Sequence, residues 1–273
     1  MAESGHAEGR YSQAGTNVHA STYGSAAHAE GDSTYAVGIA SHTEGYNTST
    51  GYKTWSCETG DSEIIAGNYA HAEGAHTEAY GEASHAEGFN TKAHGKYAHA
   101  EGNYTEAKNN SSHAEGFTTK ATNNYAHAEG DRTEAAGIGS HAEGQETYAK
   151  STAGHAEGQK TKANRPASHA EGYGTVVDGK YGHAEGLGTV IPQMDLPQHV
   201  EGQYNKADAN MAHILGWGSG PEEKNRKNIH TIDRQGNAWF AGNITAGNVA
   251  PAPIVSILTY EEWVDEGNEL LEG

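Results

Sequence analysis

The chain has 273 residues, of which 34% are hydrophobic and 8% aromatic, and its formal net charge is −19. Leu occurs six times and is missing between Gly74 and Gly186, which excludes a core of large apolar side chains, each stabilising by roughly 1.5–3 kcal/mol when buried. The acidic balance argues against nucleic acid as a partner, and no run reaches the roughly 18 apolar residues that would insert into a membrane.

Glycine is abundant, at 37 residues, but has no three-residue period, so collagen is excluded. One cysteine, Cys57, excludes an intrachain disulfide framework. The opening MAESGHAEGR has neither a basic nor an apolar stretch, so no signal peptide is expected there. Low hydrophobicity with high charge would suggest disorder, and the repeat argues against it.

Residues 1–70 read as irregular N-terminal coils with insertions. His6 and His28 head copies of His-Ala-Glu-Gly, and His42 heads the variant HTEG. The uneven spacing predicts bulges or loops over 10–27 and 45–70, carrying Tyr11, Tyr23, Tyr35, Tyr46, Tyr52 and Trp55. Tyr46, Tyr52 and Trp55 are the candidate ligand surface. Cys57 lies 14 residues before His71 and reads as a small buried residue at a His-equivalent position.

Residues 71–216 are regular. His-Ala-Glu-Gly recurs with a strict period of 14, its His at 71, 85, 99, 113, 127, 141, 155, 169 and 183, followed by HVEG at His199. A short fixed period is the signature of a solenoid. Thr recurs at 77, 91, 105 and onward to 189, with Ala, then Val177 and Ile191, two positions later. The residue before each His is always small, as in Ala70, Ser84 and Gly154. Such alternation means strands, because successive side chains point to opposite faces. Gly or Asn at 81, 95, 109, 123, 137 and 179 is expected to occupy turn positions with positive φ. Each unit thus supplies two short strands and two turns: one coil of a parallel β-roll filled by Ser, Ala and Thr. Such an interior buries little apolar area, so one roll is expected to need further stabilisation.

From 217 the composition changes. Residues 217–248 read as a loop, Gly218–Lys227, and a hairpin formed by 228–232 and 238–244. Trp217, Ile232, Trp239, Phe240 and Ile244 are expected to pack as a cap. Lys224, Arg226 and Lys227 read as a solvated loop cluster. Residues 249–273 read as a linker at Pro251 and Pro253 followed by a short acidic helix.

The outward faces differ. Between Thr and Ala the residues Glu78, Lys92, Glu106, Lys120 and Glu134 alternate in sign, giving a solvent-facing charge ladder with rungs about 4.8 Å apart. The other face barely varies: His71 and Glu73, His85 and Glu87, His99 and Glu101, His113 and Glu115, His127 and Glu129, His141 and Glu143, His155 and Glu157, His169 and Glu171, His183 and Glu185. Solvent does not demand such uniformity. Either the face packs on identical faces around a symmetry axis, or it presents a periodic ligand site; the axis is the expectation because it also supplies the missing burial, with His–Glu hydrogen bonds across chains. Were these pairs charged, each imidazole pKa would be raised in the fold.

A metal could be bound by such pairs, but the spacing gives no closed set of ligands, so neither metal nor cofactor is expected. Thirteen copies of one pair are the opposite of a single tuned acid–base site, so no catalytic residue is assigned and the chain is not expected to be an enzyme.

The 14-residue unit resembles the head repeat of trimeric autotransporter adhesins, a left-handed parallel β-roll that trimerises along its axis. The SHAEG form is similar to repeats of phage and prophage tail-fibre and baseplate proteins. Asn228-Ile229-His230-Thr231-Ile232-Asp233 and Gly236-Asn237-Ala238-Trp239-Phe240-Ala241-Gly242 resemble the closing module of those proteins. Autotransporter heads carry Val and Ile where this chain has His and Glu, so its axis would be polar. Some phage relatives continue into a self-cleaving chaperone domain, for which residues 249–273 are too short.

The resemblance implies a homotrimer of about 15 coils, roughly 70 Å long by the strand spacing. It would be a virion tail component assembled in the host cytoplasm, with other tail proteins and a host cell-wall glycan or surface receptor as partners. A bacterial surface adhesin is the alternative. A glycan-degrading tailspike comes third, because paired carboxylates in an aromatic-lined groove are not evident.

Overall fold

The computed structural model describes residues 5–15, 26–55 and 62–242, with the side chains of 52–55 and 62–66 left aside. Residues 1–239 form one unit, and a second begins at Phe240, of which 240–242 are described.

The first unit is all-β, a parallel β-solenoid of about 12 turns. In its 16-stranded sheet each His-headed segment, such as His71–Ala75, His85–Phe89 and His99–Asn103, lies beside the next. In these strands His, Ala, Glu and Gly each stack on their own kind, His85 between His71 and His99 and Glu87 between Glu73 and Glu101, while the fifth residue varies. A nine-stranded sheet, from Glu78–Ala79 to Val190–Met194, forms the other wall, with Lys92 between Glu78 and Glu106. The ladder of alternating charge therefore exists, with Lys92 Nζ 3.6 Å from Glu78 Oε2.

The interior is built of small side chains. Ala86, Thr91 and Ala93 are completely buried and Ser84 is nearly so. Ser84 Oγ donates to the Gly81 carbonyl at 2.8 Å, which satisfies its hydroxyl locally. Toward the C-terminal end Val177, Ile191, Val200 and Ile214 fill the same space, so the last coils hold more apolar volume than the middle ones.

The turn expectation is corrected. Positive φ falls two residues later than expected, at Ala83 (52°), Tyr97 (59°), Ser111 (53°) and Tyr125 (60°). Gly81 is glycine for a different reason: a Cβ there would lie 1.8 Å from the Gly95 carbonyl oxygen of the next coil. The equivalent positions Asn109, Asn123, Ser151 and Arg165 carry a Cβ, so the contact constrains Gly81 in its own coil only.

The coil count is corrected as well. Gly51–Trp55 and Ser62–Ala66 pair antiparallel with each other, while His71 pairs directly with His42. The reading of Cys57 falls on a residue outside the described ones. At the other end, Met211–Trp217 closes the parallel series and Asn228–Asp233 runs antiparallel beside it. Asp233 holds the turn to Ala238–Phe240 by accepting the amides of Gln235 and Asn237 at 2.9 and 2.8 Å. The helix expected in 259–271 lies outside the described residues.

Candidate functional site

The regular sheet places one imidazole and one carboxylate of every coil on a single outward face. From His85 to His155 the rings stack with centroids 4.6–4.9 Å apart and planes within 15° of parallel. Strand alternation puts Glu two residues after His on the same face. In the coils headed by His71 to His155, Nε2 lies 3.3–3.5 Å from a carboxylate oxygen of the same coil. These are long for N–H···O contacts, and the carboxylates keep unused lone pairs. The His–Glu partnership expected across chains thus already exists within each coil. Glu87 retains 48% of its side-chain surface and His85 32%.

The electrostatics differ from the charged-pair expectation. Burial, reinforced by the imidazoles above and below, holds His42, His113 and His169 below the ordinary histidine pKa. The neighbouring carboxylates pull the other way and do not prevail. Rings stacked face to face repel once protonated, which favours neutral imidazole at His42, His113 and His169.

The pattern changes at the C-terminal end. His183 and His199 are separated by 16 residues where the period is 14, and the strand His183–Ala184 is cut to two residues. Glu185 Oε1 reaches forward to His199 Nε2 at 3.3 Å, and Glu201 likewise to His213 at 3.3 Å. The Nε2 atom of His183 is buried with no hydrogen-bond partner.

Of the candidate ligand surface, Tyr46 is exposed and meets the His76 ring edge-on at 5.3 Å. Tyr52 and Trp55 lie on the inserted hairpin, and their side chains are outside the described set. Tyr46 adjoins a feature that the sequence did not disclose. A cleft of about 430 Å³ runs along the turn between the two sheets, lined by Asn47, His76, Glu78, Tyr80, Phe89 and Tyr104 among others. His76 meets Phe89 edge-on at 5.8 Å, and Phe89 meets Tyr104 at 5.6 Å. Glu78 carries a carboxylate held below its usual pKa, first by the His94 ring at 3.0 Å. His76, Phe89 and Tyr104, aromatic rings 13 and 15 residues apart, were the available signal.

Of the residues expected to pack as a cap, Trp217, Trp239 and Phe240 are exposed and Ile232 is half-buried. Ile244 lies outside the described residues. Arg226, read as solvated, instead donates to the carbonyls of Gly188, Asn205 and Pro221 at 2.9–3.1 Å and fastens the loop to the roll. Asn205 is completely buried. Its amide exchanges hydrogen bonds with the Val190 backbone at 2.7 and 2.9 Å, standing in for the next strand of the nine-stranded sheet.

No family model matches the chain, and no curated protein matches it.

Proposed function

We propose that the chain is a structural and receptor-binding component of a bacteriophage tail, a left-handed roll that trimerises through its His/Glu face. The uniform imidazole–carboxylate column carries this reading. It presents the same two residues on every regular coil, half-exposed, beside an interior too small to stabilise a long roll by itself. Packing three such faces on an axis supplies the missing burial and explains why neither residue varies along the chain. The exposed Trp217, Trp239 and Phe240 then become contacts that close the trimer at one end, since exposed aromatics of this size mark interaction surfaces. The tail assignment follows from the SHAEG-like repeat and the closing module. Virion location, assembly in the host cytoplasm and tail-protein partners follow with it.

Light scattering at neutral pH after dialysis against a chelator tests the arrangement. A mass near three chains is expected, and a folded single chain would overturn it. Host recognition in this reading belongs to the aromatic cleft, whose rings and flanking amide and carboxylate suit the apolar faces and hydroxyls of a cell-wall glycan. Phe89→Ala with Tyr104→Ala is expected to weaken binding to host cell-wall glycan about tenfold or more with an unchanged melting temperature. Unchanged binding would remove the cleft from the reading. The role is binding and spacing, not catalysis.

A further inference from the structure

The break in the column between His183 and His199 brings donor atoms of two coils together. From His85 to His155 each Nε2 faces a carboxylate oxygen of its own coil at 3.3–3.5 Å, and neighbouring rings are within 15° of parallel. At the break both conditions change. The His183 and His199 rings are 5.0 Å apart and tilted by 43°, compared with 4–15° from His85 to His155 and 54° between His71 and His85. Glu185 reaches to the His of the next coil, and His183 Nε2 is buried without a hydrogen-bond partner, as are those of His71, His127, His155 and His169. One donor atom each from His183, Glu185 and His199 lie within 4.8 Å of one another.

We infer that His183, Glu185 and His199 form a binding site for a divalent transition-metal ion of the zinc class. Two neutral imidazoles and one carboxylate are the donor set such ions prefer over calcium or magnesium, which take oxygen alone. Tetrahedral donors on bonds of about 2.0–2.1 Å lie roughly 3.3–3.4 Å apart. The His199 Nε2 to Glu185 Oε1 separation is already 3.3 Å, so only the His183 ring has to swing inward. His169 and Glu171 form a second grouping with His183, but the His169 and His183 rings are within 8° of parallel, which leaves the ion at the tilted pair. Every donor comes from one chain, so the site does not rest on trimerisation.

The test is calorimetric titration of the chelator-stripped chain with Zn²⁺, with Co²⁺ visible absorption as a readout of ligand geometry. One tight equivalent per chain is expected. His199→Gln and Glu185→Gln should each weaken it about tenfold or more and abolish the Co²⁺ bands, while His113→Gln, in the regular column, leaves both unchanged. Circular dichroism melts identify any variant that fails to fold, and the remaining variant then carries the comparison. Absence of a tight equivalent, or equal loss with His113→Gln, would overturn the site.

Discussion

Replacing Gly88 by alanine is expected to destabilise the roll by more than about 4 kcal/mol, whereas Gly139→Ala should lose only about 1 kcal/mol. Both glycines have positive φ, but the +60° of Gly139 is shared by many non-glycine residues of this chain, whereas values near the +116° of Gly88 occur only at glycine among the described residues. Their surroundings separate them. A Cβ on Gly88 would lie 2.1 Å from the carbonyl oxygen of Gly102, one coil further on, and that oxygen belongs to backbone fixed by the sheet. The clash cannot be relieved by a side-chain rotation and would have to spread the coils. Around Gly139 there is nothing within 4 Å, so its loss is confined to the left-handed backbone preference. Its equivalents in other coils, Ala83, Ser111 and Ala153, already tolerate that conformation. Urea unfolding of the two variants measures the difference, and equal losses would contradict the close-stacking account. The fourth residue of His-Ala-Glu-Gly is therefore glycine because coils must approach, and its backbone conformation adds to that demand.

This contrast also shows what the sequence could and could not disclose. The period of 14, the two strands per coil and the inward small residues follow from side-chain alternation, a property of each residue's own position. Val177 and Ile191 were legible as interior for the same reason. The left-handed positions were not: Tyr97 and Tyr125 adopt a conformation that their own preferences oppose, imposed by the coil's closure. Counting by 14 does not foresee that His42 pairs directly with His71 while Gly51–Trp55 and Ser62–Ala66 pair with each other. Asn205 and Arg226 act through backbone carbonyls far away in sequence and leave no periodic trace. Along the His/Glu face the residues were evident, but their engagement within the coil depends on ring orientation, which no spacing encodes. The irregular spacing between His183 and His199 was visible, and its consequence for ring tilt was not.

Acidification is expected to lower the melting temperature by several degrees as the pH falls below about 6.5, with little change above it. His113 carries the argument. Its pKa is lowered first by burial, then by His127 and His99 on either side, and Glu115 offsets this only in part. His42 shows the same order, with burial ahead of His71 and His28. A group with a depressed folded pKa binds fewer protons in the fold than in the unfolded chain between the two values. The stability it contributes is complete above the unfolded pKa and is lost as the pH falls toward the folded one. His169 shows the same order again, with burial ahead of His155 and His183, so the effect arises at three places along the stack. Burying the column around a trimer axis would deepen it further, since desolvation acts in the same direction. Charged His–Glu pairs across chains would instead raise the imidazole pKa and make the protein more stable on acidification. Thermal melts between pH 5 and 8 in the presence of a chelator separate the two. A melting temperature that rises on acidification would show that carboxylates from neighbouring chains prevail over the stacked imidazoles, and His113→Gln should make the pH dependence shallower only if the neutral column is correct.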